Sequence, residues 1–459
     1  MMDMRLINTD RAVRYFLAHV AAGDHPRARG QSLRQAQHLA GVPAGRWTGR
    51  GLPLVGLQAG QLATEEQLVS LFGHGEHPDA ARIRHALQTQ GASACTVRRA
   101  GALGQRAQVT GVELIFRAPA SVHVLWALGG QDAARAIENA HETAITQTLA
   151  WIEDEAAQIR SGRNGQGPRH RPEQGLLAAQ LRHYASSAHT PLLHDHLLVA
   201  LKGLRPDGRW RAVHSTTLLN HAVAAGTLYD ELVLAETCHA LGLATCPRTV
   251  TPGRRPVMEL AGLHEPQIIA WMALRNAQIT AHLQATQHTL PEPATRDDAD
   301  GPVAFPAPFD ARRERLQRIA VTKTLPPPRR PPALPELRDA WHASASHAFG
   351  PSFTTTLLDR ARTASAPVRA QRPAAIDVDK AAREVIAMVA ATRSRGRFRT
   401  YHLLAQARRH LAYTLRGARR PPGLDAQIVN QALTVHARDV TGPTRDGSHP
   451  PAFRIYTAA

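Results

Sequence analysis

Two histidines, His194 and His196, stand two residues apart inside an almost unbroken apolar run from Leu192 to Leu201. A run of that kind without helical period predicts a strand buried on both faces. Side chains two apart on a strand share a face, so both imidazoles point the same way. Burying two polar rings side by side is costly unless something binds them, and a metal ion would. Just upstream, Leu177, Ala179, Leu181 and His183 alternate with Ala178, Gln180 and Arg182, which predicts a second strand ending in His183. A loop through Ser186, Ser187 and Pro191 then returns the chain, and an antiparallel pairing gathers three imidazoles at one end of a hairpin. Three neutral nitrogens leave coordination positions open, as catalytic sites do and structural ones do not. The chain holds 25 histidines, however. An isolated His-x-His is often incidental in such a sequence, so spacing alone leaves a metal site and a chance pair both open.

His183, Pro191, Leu193, His194, His196, Lys202 and the turn Arg205-Pro-Asp-Gly-Arg-Trp210 follow one another at a familiar spacing. The segment resembles the three-histidine motif of the HUH endonucleases, specifically of the TrwC/TraI-type (MobF) conjugative relaxases. Three further stretches are similar to that family: Gly41-Val-Pro-Ala-Gly-Arg-Trp-Thr-Gly-Arg-Gly51, the strand and helix start from Gly111 to Trp126, and the helix pattern from Ala222 to Tyr229. The resemblance implies an α+β fold, an antiparallel-sheet HUH relaxase domain flanked by helices. It implies a DNA relaxase that nicks one strand at a plasmid transfer origin through a tyrosyl-phosphodiester intermediate. A divalent metal (Mg, Mn or Zn) would be held by His183, His194 and His196.

The same resemblance assigns the other site residues. Glu113 takes the place of the family's aspartate, with orientation of a ligand histidine or proton transfer as its role. Tyr15, in the early helical stretch Ala12–Val20, is the nucleophile candidate, because the family carries an aromatic-rich segment there. Arg160 and Arg163, in a basic glycine-rich turn, join Lys202 and Arg209 as candidate contacts to DNA phosphates. The chain departs from the family at Ala36-Gln37, where many relatives have a tyrosine pair, and at Ala120, where the family has a lysine. Those departures favour the alternative, a relaxase-fold remnant that binds DNA without cutting it.

The rest of the chain must carry this site. At 459 residues it exceeds one ordinary core. The composition and motifs divide it into a relaxase domain over 1–289, a Pro-rich linker region over 290–333 and a basic helical module over 334–459. Three short helices in the last part, with nine arginines and no acids between Thr392 and Leu424, suggest a helix-turn-helix or winged-helix unit. The formal charge of +18 is the footprint of a polyanion-binding protein. GC-rich coding inflates Arg, Ala, Pro and Gly in the same way, so charge alone leaves the bland reading open. Single-stranded and origin DNA are the expected partners, with other conjugation proteins. Three scattered cysteines offer neither a disulfide framework nor a zinc cluster. No apolar run is long enough for membrane insertion, and a cytoplasmic protein is expected. No Gly-x-x-x-x-Gly-Lys-Ser/Thr occurs, so the expectation is a relaxase part without a helicase.

Overall fold

The structure is a computed structural model that describes residues 2–7, 10–23, 26–105, 107–160, 169–172, 174–250, 255–272, 274–287, 316, 319–320, 323–324, 332–441 and 454–459. Its centre is a five-stranded sheet of β1 (Met2–Ile7), β2 (Arg46–Thr48), β3 (Gly111–Arg117), β4 (Ala178–Ala185) and β5 (Pro191–Ala200). The spatial order is β1-β3-β5-β4-β2 and every pairing is antiparallel. The strand expected to be covered on both faces is the central one. All of β5 except Leu192 is buried. The α+β architecture read from the sequence is thus the observed one.

Two cores lie on either side of the sheet. On one side Leu193, Leu197 and Val199 of β5 pack with Val112, Leu114 and Phe116 of β3. That side is covered by α2 (Ala120–Leu128), α3 (Gly130–Trp151) and α4 (Ser215–Leu241). On the other side Leu198 and Ala200 meet Phe16 and Leu17 of α1 (Asp10–Ala18), with Trp47, Leu68, Leu71 and Phe72. The segment Thr64 to Gln67 is a capping box, as its sequence predicts: the Thr64 side chain accepts from Gln67 N while the Gln67 side chain accepts from Thr64 N. The conformation of Gly49 is forced. It stands at φ 100°, and a Cβ there would lie 2.4 Å from the Leu176 carbonyl oxygen, where the chain leaving β2 passes the start of β4.

The residues after Leu334 pack in two parts. Helices α5 (Leu334–Phe349) and α6 (Phe353–Ala370) place Leu337, Trp341, Ala345, Leu357 and Ala361 in the core of the helical layer. Trp341 also donates its indole N–H to the His189 carbonyl at 2.6 Å, tying down the loop of the β4–β5 hairpin. Helices α7 (Val378–Thr392), α8 (Thr400–Leu415) and α9 (Leu424–Val435) instead build a core of their own, around Val385, Leu403, Leu411 and Ile428. This second unit is fastened to α4 by charge. Arg408, 1% exposed, donates to Asp425 at 2.9 Å and to the Ala224 carbonyl at 2.7 Å. Its guanidinium also lies 4.3 Å from the centre of the Trp151 ring. Arg420 bridges Glu231 and Asp425. Most of the expected linker over 290–333 lies outside the described residues. Among those residues, no helix is long and apolar enough to cross a membrane.

Candidate metal centre

The hairpin register puts His183 opposite His194 and Leu181 opposite His196. The three imidazoles therefore converge on the α1 side of the sheet. Their ring centres lie 5.1, 4.8 and 5.0 Å apart, and one nitrogen from each falls within 4.8 Å of the others. All three side chains are buried.

Two hydrogen bonds decide which nitrogen faces the centre. His194 Nδ1 lies 2.9 Å from the Leu192 carbonyl oxygen, an acceptor only, so the ring must donate there. His196 Nδ1 lies 2.6 Å from Glu113 Oε1, a carboxylate oxygen, and donates in the same way. Both rings then offer Nε2 as the ligand lone pair. Glu113 comes from β3, where it pairs in register with Leu198 of β5 and faces the same side as His196. Its carboxylate is 7% exposed and committed to the histidine. Three neutral imidazoles backed by a carbonyl and a carboxylate suit a divalent transition metal. Donors around such an ion would stand roughly 3 Å apart, closer than the 4.8 Å within which these nitrogens lie.

The other residues singled out from the sequence are placed as follows. Tyr15 lies on α1 with its side chain 62% exposed and its ring 4.6 Å from that of His19. Its neighbour Phe16 is the aromatic that meets the centre, edge-on to His196 at 6.1 Å. Arg209 is exposed in the turn after the small strand Lys202–Leu204. Lys202, a candidate phosphate contact from the sequence, is instead 1% exposed, and its ammonium donates to the Gln105 carbonyl at 2.6 Å. Burial lowers its pKa. The side chain of Arg160 and the whole of Arg163 lie outside the described residues.

The residue between the two histidines has a structural role of its own. Asp195 must face the helical layer, and it is fully buried there. It accepts from Arg182 Nε at 2.9 Å and from His141 Nε2 at 3.0 Å, while His141 Nδ1 in turn meets the Tyr229 hydroxyl at 2.7 Å. Burial alone would raise the Asp195 carboxyl, but the Arg182 guanidinium and His141 together hold it well below the usual carboxylate range. A charged residue inside an otherwise apolar strand demands such partners, and that demand was the available signal. Asp195→Asn is expected to destabilise the fold by about 3–5 kcal/mol in urea unfolding, because it breaks the buried Arg182–Asp195 pair and leaves Arg182 only the half-exposed Glu142 as counter-charge. A change below about 1 kcal/mol would show the network to be dispensable.

The TrwC relaxase family model matches residues 9–348. Among solved structures the chain resembles a metal-bound structure of the conjugative relaxase TrwC in complex with oriT DNA. The identity is 20%, the match covers 76% of this chain and 98% of that one, and the TM-score is 0.50. A copper-bound structure of the TrwC complex matches at 20% identity over 76% of this chain and 98% of that one, with a TM-score of 0.49. TrwC complexed with a 27-mer comprising the recognition hairpin and the cleavage site matches at 20% identity, 76% and 98% coverage and a TM-score of 0.48. No curated protein matches the chain.

Proposed function

Because the chain belongs to the TrwC relaxase family, we propose that it nicks one strand of DNA at a transfer origin by transesterification. The observation that carries this reading is the convergence of His183, His194 and His196, with Glu113 fixing the tautomer of one of them. A divalent metal held by the three histidines would polarise the scissile phosphate and offset its added negative charge. The chain's own part is nucleophile, orientation and grip. The Tyr15 oxygen forms a bond to phosphorus while the bond from phosphorus to the 3′-oxygen breaks. The phenolic proton passes to a base, the 3′-oxygen takes up one proton in return directly or through solvent, and the 5′-phosphate remains on the tyrosine. No water is consumed, so the step reverses and the strand can be rejoined. Glu113 orients His196 through its Oε1, with Oε2 as the proposed acceptor of the tyrosine proton. Arg209, exposed in the turn between the small strands Lys202–Leu204 and Trp210–Ala212, is proposed to hold backbone phosphate.

The test is incubation of the full chain and Mn²⁺ or Mg²⁺ with end-labelled origin single strands, followed by denaturing electrophoresis. A covalent protein–DNA band that requires metal is expected. Its absence on every origin strand tried would support the second reading, a binding protein that does not cut. The specific observation behind that alternative is Phe16, which has no hydroxyl and stands at the position where a nucleophile would be useful.

Glu113→Gln gives a separate check. It keeps the shape but loses the carboxylate that holds His196, and metal affinity is expected to fall about 10–100-fold. Calorimetric titration with Zn²⁺ or Mn²⁺ reads this directly, and an unchanged affinity would remove Glu113 from the centre.

A further inference from the structure

The α7–α9 unit has a topology that the nuclease reading does not use. After α9 the strand Ala437–Asp439 pairs antiparallel with the strand Tyr456–Ala458. Tyr456 turns back to the connection between α7 and α8, exchanging both backbone hydrogen bonds with Phe398 at 2.9 and 2.8 Å. The chain thus runs helix, bridge residue, helix, helix, strand and returning strand, and the returning strand lies between the other two pieces. We propose that residues 378–441 and 454–459 form a winged helix-turn-helix that binds duplex DNA, with α9 as the helix that enters the major groove. The connection over 416–423 is longer than the 3–4-residue turn of a simple helix-turn-helix, so the assignment rests on the three-piece sheet.

The surface of α9 supports that role. Its inner face, Leu424, Asp425, Ile428, Val429 and Ala432, is buried. Its outer face carries Gln427, Asn430 and Thr434, all exposed and within one helical stripe. Amide side chains are the chemistry that reads adenine edges by paired hydrogen bonds. No exposed acid lies on this helix, because Asp425 is spent inside on Arg408 and Arg420. Gln431 and His436 both bond Asp379 at 2.9 Å, which pins the C-terminal end of α9 against α7. Arg438, exposed on the strand that follows, is placed for backbone phosphate. A groove-binding protein partner would need an apolar stripe there, and this face offers amides in an arginine-rich unit instead.

The test uses the full chain and a randomised 24-base-pair duplex pool, from which the parent protein selects a preferred sequence. Binding is then read by fluorescence anisotropy across a salt series. Gln427→Ala with Asn430→Ala is expected to weaken the selected duplex about tenfold or more while leaving unselected duplex unchanged. Arg438→Ala is expected to weaken both and to reduce the salt slope by about 1. Covalent adduct formation on single strands should be unaffected in these variants, and His196→Ala should bind duplex like the parent. A parent chain that binds no duplex overturns the proposal and leaves the α9 face to a protein partner. So does selection of a sequence that the amide variants bind equally well.

Discussion

His196→Ala is expected to abolish the covalent DNA adduct while leaving the affinity for the same strand within about threefold. That is the outcome the centre requires. His196 is one of three ring ligands, and it alone is fixed by Glu113. Two histidines cannot hold the ion as three do, and the transition state then loses charge stabilisation worth several kcal/mol. At 1.36 kcal/mol per decade that is a rate loss of at least about 10³-fold. Affinity behaves differently, because it comes mainly from phosphate contacts spread over the surface of a chain of formal charge +18. Denaturing gels of labelled strand give the first quantity and anisotropy the second. Adduct at near-parental yield in His196→Ala would show that the histidines do not serve the reaction. A metal-soaked crystal adds a geometric check: the ring nitrogens should close to about 2.0–2.3 Å from one ion.

Tyr15→Phe is expected to have an effect of the same size with no structural cost. The hydroxyl is the only atom lost, and the side chain is 62% exposed, so stability should change by less than about 0.5 kcal/mol. The other five tyrosines are committed elsewhere. Tyr184 stacks on Trp126, Tyr229 bonds His141, Tyr401 packs on His221, Tyr413 lies beneath Arg416 and Tyr456 sits in the small sheet. Attack requires the phenol oxygen to reach about 3–3.5 Å from phosphorus. An exposed side chain one residue from Phe16, at the edge of the centre, can be brought there by a bound strand. Retained adduct in Tyr15→Phe, with the parent active, would place the nucleophile on another residue. No adduct in either protein would favour the non-cutting reading.

The centre was legible because its grammar is local. Period-two alternation around His183, the apolar run around His194 and His196, and the polar loop between them are all read within about twenty residues. Glu113 came from resemblance, and its pairing across β3 and β5 gives that resemblance a geometry. What stayed hidden depends on distant partners. Arg182 stands opposite Asp195 in the hairpin register, but His141 on α3 has no local mark connecting it to that strand. Lys202 reads as a phosphate contact, since nothing in its neighbourhood announces that its ammonium will be held inside by the Gln105 carbonyl. The helices after Leu334 read as one module, yet Trp341 and Leu357 belong to the sheet's helical core. Pairing of Phe398 with Tyr456 across a long stretch of chain likewise leaves no periodic signal.

The order of the strands also has a consequence in time. β1 begins at Met2, but its partner β3 spans Gly111–Arg117, and β3 in turn needs β5 at Pro191–Ala200. At ribosomal rates of about 5–20 residues per second, Ile7 and Gly111 emerge roughly 5–20 s apart. The first strand and the helix carrying Tyr15 therefore leave the ribosome early and wait, with an apolar face exposed, for the centre of the sheet to be made. Pairing over such separations is intrinsically slow. The helix carrying Tyr15 is synthesised well before the strands it packs on, so a chain interrupted before about residue 200 holds its proposed nucleophile and no site for it to serve.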